Sequence, residues 1–279
     1  MAFVQRWIDI SFSYPGGSLS ITAPRASVFM ENAGGTTVPQ ANIRIHGLSR
    51  AHLGALSSYQ QMSPTLRNST VTVSAGDDKY GMNVAFSGMI IASWADMTGS
   101  PDVALNVQAV GQTLQAITPT NPTSFSSGVQ VSQVMQNLAS KAGFGLVNSG
   151  VNVTLSRPYL WGTPLEQINQ VAIAANINWS IDNSNQIITI WPKGGNNGSQ
   201  IINISAETGM VKYPAFNGTG VVVTTLYNPL IKYGNQIIVK SDLQSACGTF
   251  ICQGLNHHIE SQTPDGAWFT QIMGYYPPG

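Results

Sequence analysis

Val131-Ser132-Gln133-Val134-Met135-Gln136-Asn137-Leu138-Ala139-Ser140-Lys141-Ala142-Gly143 is the stretch on which the reading of this chain turns. Val131, Val134, Met135, Leu138 and Ala142 recur at helical spacing, and Gly143 stands where a glycine stop belongs. A second helix opens at Thr163-Pro164-Leu165-Glu166, where Thr163 can cap, Pro164 suits the first helical position and Glu166 completes a capping box. Leu165, Ile168, Val171, Ala172 and Ala175 form its apolar face. Strand-like pieces surround the helices: Val151–Leu155, Trp179–Ile181, an Asn183-Ser184 turn, then Gln186–Trp191. Residues 129–193 therefore read as a compact α+β domain.

Outward from it, the pattern changes to period 2 on both sides. Residues 1–112 alternate in Ser18–Thr22, Ala41–Ile45, Thr70–Ser74 and Val103–Val107, with turn signals at Pro15-Gly16-Gly17, Gly34-Gly35, Ala75–Asp78 and Gly99-Ser100-Pro101. One short helix is expected at Leu48, Leu53 and Leu56, capped by Ser49. Residues 199–279 return to β, with strands expected at 200–204, Gly220–Leu226, Gln236–Lys240, Thr249–His257 and Ala267–Met273. Residues 113–128 gather Pro, Ser and Thr and read as a connector; residues 194–198, a Gly/Asn run, read as a flexible joint. The expected fold class is mainly β with an α+β insert: two antiparallel β-barrel-like domains, 1–112 and 199–279, flanking a small α+β domain.

Composition narrows the function. The chain has 279 residues, with 12 Lys+Arg against 12 Asp+Glu and only 9% charged residues, where an ordinary domain carries about 25%. No basic excess is present to neutralise phosphates, and no 18-residue apolar run is present to span a membrane. The N-terminus, MAFVQRWIDISFSY, lacks the features of a secretory signal, so the six Asn-x-Ser/Thr sequons at Asn68, Asn152, Asn178, Asn197, Asn203 and Asn217 read as chance. A neutral, charge-poor chain tends to self-associate. The expectation is a protein that lives inside an assembly.

Residues with chemical potential find no partners in the sequence. His257 and His258 are adjacent, so on a strand they face opposite ways. Cys247, Cys252 and His257 are five apart, which again alternates faces and lacks a fourth zinc ligand. Both thiols are expected to be buried and inert. Of the glutamates, Glu31, Glu166, Glu207 and Glu260, the capping box accounts for Glu166, while Glu260 and Asp265 flank a hairpin. No nucleophile elbow, Walker loop or dinucleotide fingerprint occurs. No catalytic, cofactor-binding or metal-ligating residue is assigned, no cofactor is expected, and the chain reads as a non-enzyme. Trp161, Trp179 and Trp191 are expected to build the core of the small domain, and Arg44, Arg50 and Arg67 to be interface or surface residues rather than the lining of a pore for DNA.

The most specific signal lies in Gly220–Ile237. There Val221-Val222-Val223-Thr224-Thr225-Leu226-Tyr227-Asn228-Pro229-Leu230 ends a strand in Leu-x-Asn-Pro-Leu, before Tyr233-Gly234 and a new strand. Gly248-Thr249-Phe250-Ile251-Cys252, His257-His258-Ile259-Glu260 and Asp265-Gly266-Ala267-Trp268-Phe269-Thr270 follow. This order resembles the baseplate hub proteins of contractile-tailed, Mu-like phages. Two departures are Phe250, where the family has Tyr, and Pro264-Asp265-Gly266, where it has a Gly-Asp turn. The first segment is similar too, in Ile43-Arg44-Ile45-His46-Gly47-Leu48-Ser49 and in Val71–Gly76 followed by Ala85–Ile90.

The resemblance implies a structural virion protein, located in the tail baseplate and assembled in the host cytoplasm. It implies a homotrimer whose paired barrels match the six-fold tail tube, or a tube initiator, to the three-fold central spike. Other baseplate proteins would be neighbours, and genomic DNA would pass only in transit. The alternative is a cell-wall or protein-binding module of a tail or secretion assembly, since the 129–193 piece also resembles small N-terminal domains of secretins. On the hub reading, charges such as Glu31, Lys79, Asp102, Lys193 and Asp265 are expected in turns at the barrel rims.

Overall fold

The computed structural model describes residues 5–277 apart from 33, 35, 36, 58–68, 79, 112, 113 and 219. Arg67, Lys79 and the Asn68 sequon lie outside the described residues. The first segment runs β1 (Arg6–Tyr14), β2 (Gly17–Thr22), β3 (Ala26–Asn32), β4 (Gln40–His46), α1 (Arg50–Leu56), β5 (Thr70–Asp77), β6 (Gly81–Asp96) and β7 (Ala104–Val110). Ser49 caps α1 as expected, its hydroxyl accepting from the His52 amide at 3.2 Å.

The middle segment runs α2 (Leu114–Ile117), β8 (Thr123–Ser124), β9 (Gly128–Gln130), α3 (Val131–Lys141), β10 (Gly145–Asn148), β11 (Thr154–Ser156), β12 (Tyr159–Leu160), α4 (Pro164–Ala175), β13 (Ile177–Asp182) and β14 (Ile187–Pro192). Gly143 adopts φ +82°, the left-handed turn that stops α3. The Thr163–Glu166 capping box is formed in full. Val134, Met135 and Leu138 of α3 and Ile168 and Val171 of α4 meet Ile188 and Ile190 of the β10–β14–β13 sheet in one buried core. Part of the 113–128 stretch is built into it: Ala116 is buried there, and the Thr123 hydroxyl donates at 2.7 Å to Oε1 of the buried Gln167.

The last segment runs β15 (Ile202–Ile204), β16 (Ala215–Asn217), β17 (Gly220–Leu226), β18 (Gln236–Val239), β19 (Gly248–Ser261) and β20 (Trp268–Tyr275). Its core gathers Val221, Val223, Ile237, Phe250 and Ile272.

The two β segments do not close as separate barrels. Their strands form one open sheet of 13 strands, along the path β16-β17-β20-β19-β3-β4-β7-β6-β5-β1-β2, with β15 and β18 branching from β19. The physical reason is the length of β19. Its first part pairs with β18 from Gly248 to Ile251, and its last part pairs with β3 from Leu255 to Ser261. A bulge between Cys252 and Gly254 sits at the change of partner, where extra local twist lets one strand serve two neighbours.

The core of the first segment is consequently shared. Tyr227, Ile259 and Trp268 from the last segment pack with Ile8, Ile10, Val28, Ile43 and Leu105. Trp268 is 1% exposed, lies 5.3 Å from the Tyr227 ring, and carries the Arg6 guanidinium 5.6 Å above its face.

Candidate assembly surfaces

The outer face of the shared sheet is built by alternation. Directly paired residues on neighbouring strands share a face, and the register lines up Leu226, Phe269, His258, Phe29, Asn42 and Gln108 across six strands. The next row is Thr224, Gln271, Asn256, Glu31, Gln40 and Val110. Neither row contains a buried residue. Glu31 is the only carboxylate or Lys/Arg in these two rows, which are apolar and amide-rich, the composition of an interface centre; the next row of the same face, Glu260, Ser27, Arg44 and Asn106, brings in charge. Phe29 meets the His258 imidazole edge-to-face at 6.1 Å, and His258 Nε2 lies 3.5 Å from Glu260 Oε1.

Charge gathers from that row outward. Asp102 accepts from Arg25 and pairs with His46 Nδ1, both at 3.1 Å, and Arg44 reaches Asp96 at 3.1 Å. Hydrogen bonds from Thr98, assisted by Arg44, hold the Asp96 carboxyl below the usual range. Asp102, Lys193 and Asp265 do sit in turns, but Glu31 lies in β3. Arg44 projects from β4 beside Asp96, and Arg50 is exposed at the start of α1.

The insert is docked rather than tethered. The β13–β14 register pairs Trp179 with Ile190 and Trp191 with Asn178, so the two indoles occupy opposite faces of the hairpin. Trp179 enters the insert core. Trp191 does not: it is 1% exposed and packs outward on Tyr233, ring centroids 5.6 Å apart. Gly234 beside it has φ +83°, and a Cβ there would stand 2.6 Å from the Trp191 ring, so only glycine fits this turn.

The same hairpin's tip is held by Lys232, whose ammonium donates to Asp182 at 2.5 Å, and by Asn183, whose amide donates to the Gly111 carbonyl. Burial alone would raise the Asp182 carboxyl; the Lys232 and Asn185 hydrogen bonds outweigh it and pull it below the ordinary range. The 194–198 run, read as a flexible joint, is pinned. Asn197 is buried, donates from Nδ2 to Tyr233 O at 2.9 Å, and accepts from Ser149 Oγ at 2.6 Å. A cleft of about 520 Å³ remains between insert and sheet, with His257 on its wall.

His257 faces inward, 9% exposed, and shares a 2.8 Å hydrogen bond with Thr270 Oγ1. Burial lowers its pKa to about 4. The unfolded chain therefore binds a proton that the fold refuses between about pH 6.5 and 4. This contribution to stability is whole above about 6.5 and is lost as pH falls toward 4. Urea unfolding at about pH 4.5 should show about 2–3 kcal/mol less stability than at about pH 7.5, and His257→Gln should remove most of that difference.

The thiols differ from expectation. Both are unpaired, but only Cys252 is buried, and burial pushes its pKa to about 12. Cys247 follows the short 3-10 turn Gln244–Ala246 and is exposed, because that turn carries it off the sheet. A maleimide should label one thiol in the native protein and two in denaturant; two labelled under native conditions would contradict this burial. Trp161 is 61% and Tyr159 65% exposed, so Trp161 is not a core residue. Its backbone is bound on both sides by the Gln170 amide, which leaves the indole outside. Among the described residues no cluster of three or more His, Cys, Asp or Glu could hold a metal ion, and no helix is long and apolar enough to cross a membrane.

The family model of the baseplate hub gp41 proteins matches residues 28–273. The chain belongs to this family. The hub is thus a phage tail baseplate protein, a structural component of the virion. Its fold is similar to that of a tail protein from Neisseria meningitidis MC58, with TM-score 0.64 at 8% identity over 96% of each chain. It is also similar to the 43 kDa tail protein of prophage MuSo2 from Shewanella oneidensis, with TM-score 0.63 at 8% identity, covering 97% of the hub and 98% of that chain. A component of the E. coli type VI secretion system aligns with TM-score 0.58 at 11% identity, over 96% of the hub and 79% of that chain. Among curated proteins no sequence matches the hub.

The match to the hub family agrees with the motifs at Gly220–Ile237 and 248–270, which fall on β17, the turn at Gly234, and the β19–β20 hairpin. Sequence reasoning missed the docking of Trp191 and the Asp182–Lys232 pair, because both depend on which face of a hairpin meets the sheet.

Proposed function

We propose that three copies of the hub form a ring at the distal end of the tail tube, adapting the six-fold tube to the three-fold spike. The observation that carries this reading is the internal doubling: one chain holds two β cores on one sheet, so three chains present six. The two charge-poor rows of the outer face support it, because a ring needs extensive subunit contacts with few desolvated charges. So does the neighbourhood of folds: the E. coli type VI component is described as structurally similar to the T4 tail proteins gp27 and gp5. Assembly in the host cytoplasm, contact with a tube initiator and other baseplate proteins, and passage of DNA through the ring follow from the same reading. Light-scattering mass at micromolar concentration tests it, alone and with tube and spike proteins. A mass of three chains and binding to both partners is expected; a strict monomer that binds neither sinks it.

A second reading concerns the insert. Tyr159, Trp161 and Ile173 are 65%, 61% and 72% exposed on its surface, which favours a binding role toward cell-wall polymer or another baseplate protein. Trp161→Ala should leave folding unchanged and weaken retention on peptidoglycan or on baseplate proteins. Equal retention of both forms would reject this role.

A further inference from the structure

Gln133, Gln136, Asn137 and Ser140 fall at i, i+3, i+4 and i+7 of α3, one stripe turned away from the buried Val134, Met135 and Leu138. With Phe125 and Lys141 they line an open groove of about 610 Å³ on the insert, within the size range of ordinary ligand sites. The outer face of a solvated helix is usually charged. Here it holds three carboxamides and one ammonium, and among the described residues the side-chain amides of Gln133, Gln136 and Asn137 have no hydrogen-bond partner within the chain.

Strand pairing decides what borders the groove. Lys141 Nζ donates to Thr123 Oγ1 at 2.7 Å, which holds the ammonium beside β8. β8 pairs in turn with β12, Ser124 opposite Tyr159, and the Phe125 amide donates to the Pro158 carbonyl at 3.2 Å. Phe125 therefore stands between the α3 stripe and the segment Arg157-Pro158-Tyr159. Arg157 and Tyr159 are both exposed there.

The charges near the groove are of one sign. Residues 113–193 contain only two carboxylates, Glu166 and Asp182. Glu166 is engaged in the cap of α4, Asp182 is paired with Lys232, and neither lines the groove. Lys141 and Arg157 have no ion-pair partner among the described residues. Lys141 spends one of its three N–H donors on Thr123 and keeps two.

This set of groups selects a ligand. A carboxamide presents two donors and an acceptor oxygen side by side, which matches the hydroxyl and acetamido groups of a sugar. An aromatic ring offers an apolar surface to the C–H face of a pyranose. The two unpaired cations call for acid groups on the same ligand. Two are too few to hold a nucleic-acid backbone, and a partner helix would need a row of apolar seats, whereas Phe125 is the one apolar side chain lining the groove.

We propose that this groove binds an acidic glycan, a polymer of acetamido sugars bearing carboxylates, as in peptidoglycan. Phe125 is the platform, Gln133, Gln136 and Asn137 contact hydroxyl and acetamido groups, and Lys141 and Arg157 contact the carboxylates. This rests on the cell-wall reading of the insert and names the ligand and its place.

The test uses the full chain and calorimetric titration with two soluble probes: peptidoglycan fragments, which carry muramyl and peptide carboxylates, and neutral N-acetylglucosamine oligomers. Gln136→Ala with Asn137→Ala suits exposed helix positions and should keep the wild-type far-ultraviolet spectrum and thermal midpoint. Wild type is expected to bind both probes, the acidic one more tightly, with that preference shrinking between about 50 mM and about 500 mM salt. The double variant should bind both probes about tenfold more weakly, about 1.4 kcal/mol. Lys141→Gln with Arg157→Asn, the asparagine suiting the left-handed backbone at Arg157 (φ +47°), should bind the neutral probe as wild type does and lose the preference for the acidic one. If Trp161→Ala weakens binding while both groove variants bind as wild type does, the groove is overturned and the cell-wall reading of the insert stands. If wild type binds neither probe, both fall. Retention of a baseplate protein that the groove variants abolish, with no glycan bound, would make the groove a protein contact and overturn the proposal.

Discussion

Trp268→Ala is expected to lower the stability of the whole protein by about 3–5 kcal/mol, the usual cost of emptying a buried tryptophan site. The indole is 1% exposed and belongs to β20, yet it fills the core formed mainly by β1, β3, β4, β5 and β7. Its loss removes contacts with Tyr227 at 5.3 Å and with the Arg6 guanidinium at 5.6 Å. Because it joins the two β segments, the damage should appear in one transition. Urea unfolding followed by circular dichroism and by tryptophan fluorescence should shift to a lower midpoint by both probes together. A shift in one probe alone would mean that the two segments unfold independently and that the shared core does little. By the same logic, residues 1–112 expressed alone should fail to fold cooperatively, since they lack Tyr227, Ile259 and Trp268.

Trp191→Ala is expected to cost about as much, roughly 3–5 kcal/mol, but with a different signature. This side chain is 1% exposed and lies outside the insert's own core, between the insert and the turn at Tyr233-Gly234. Emptying its site should loosen docking before it unfolds either part. Under mild conditions the variant should be cut by protease within 193–198, where Asn197 is otherwise held by Tyr233 and Ser149. The insert's α3 and α4 should persist, since their core retains Met135, Leu138, Ile168 and Trp179. Protection of 193–198 equal to wild type would show that the polar contacts at Lys232 and Asn183 suffice. Gly234→Ala should act in the same direction, by placing a Cβ 2.6 Å from the same ring in a backbone conformation with φ +83°.

Elements with an undisturbed period were legible. β17 falls on Gly220–Leu226 residue for residue, and α3 and α4 follow their apolar spacing and caps. Others were not, for local reasons. β3 carries Phe29 outward between the inward Val28 and Met30, so its apolar run shows no alternation. β6 spans Gly81–Asp96, but a register shift between Ile90 and Ala92 breaks the period midway. β19 extends to Ser261, past the expected end, because two of its inward positions are the polar His257 and Ser261. Burial of a satisfied histidine looks, in one dimension, like the end of a strand.

The sequence by itself determined the alternation of β, α+β and β along the chain, the helix starts and stops, and the motifs shared with the hub family. These depend on neighbours within about one turn of helix or a few residues of strand, where propensity and capping act. Tertiary structure decided that the two β segments form one open sheet, that Trp191 belongs to a joint, and that β2 and β16 are its ends. Those outcomes depend on strand register, where a shift of one residue turns every side chain to the other face, and no local pattern records which distant strand supplies the partner.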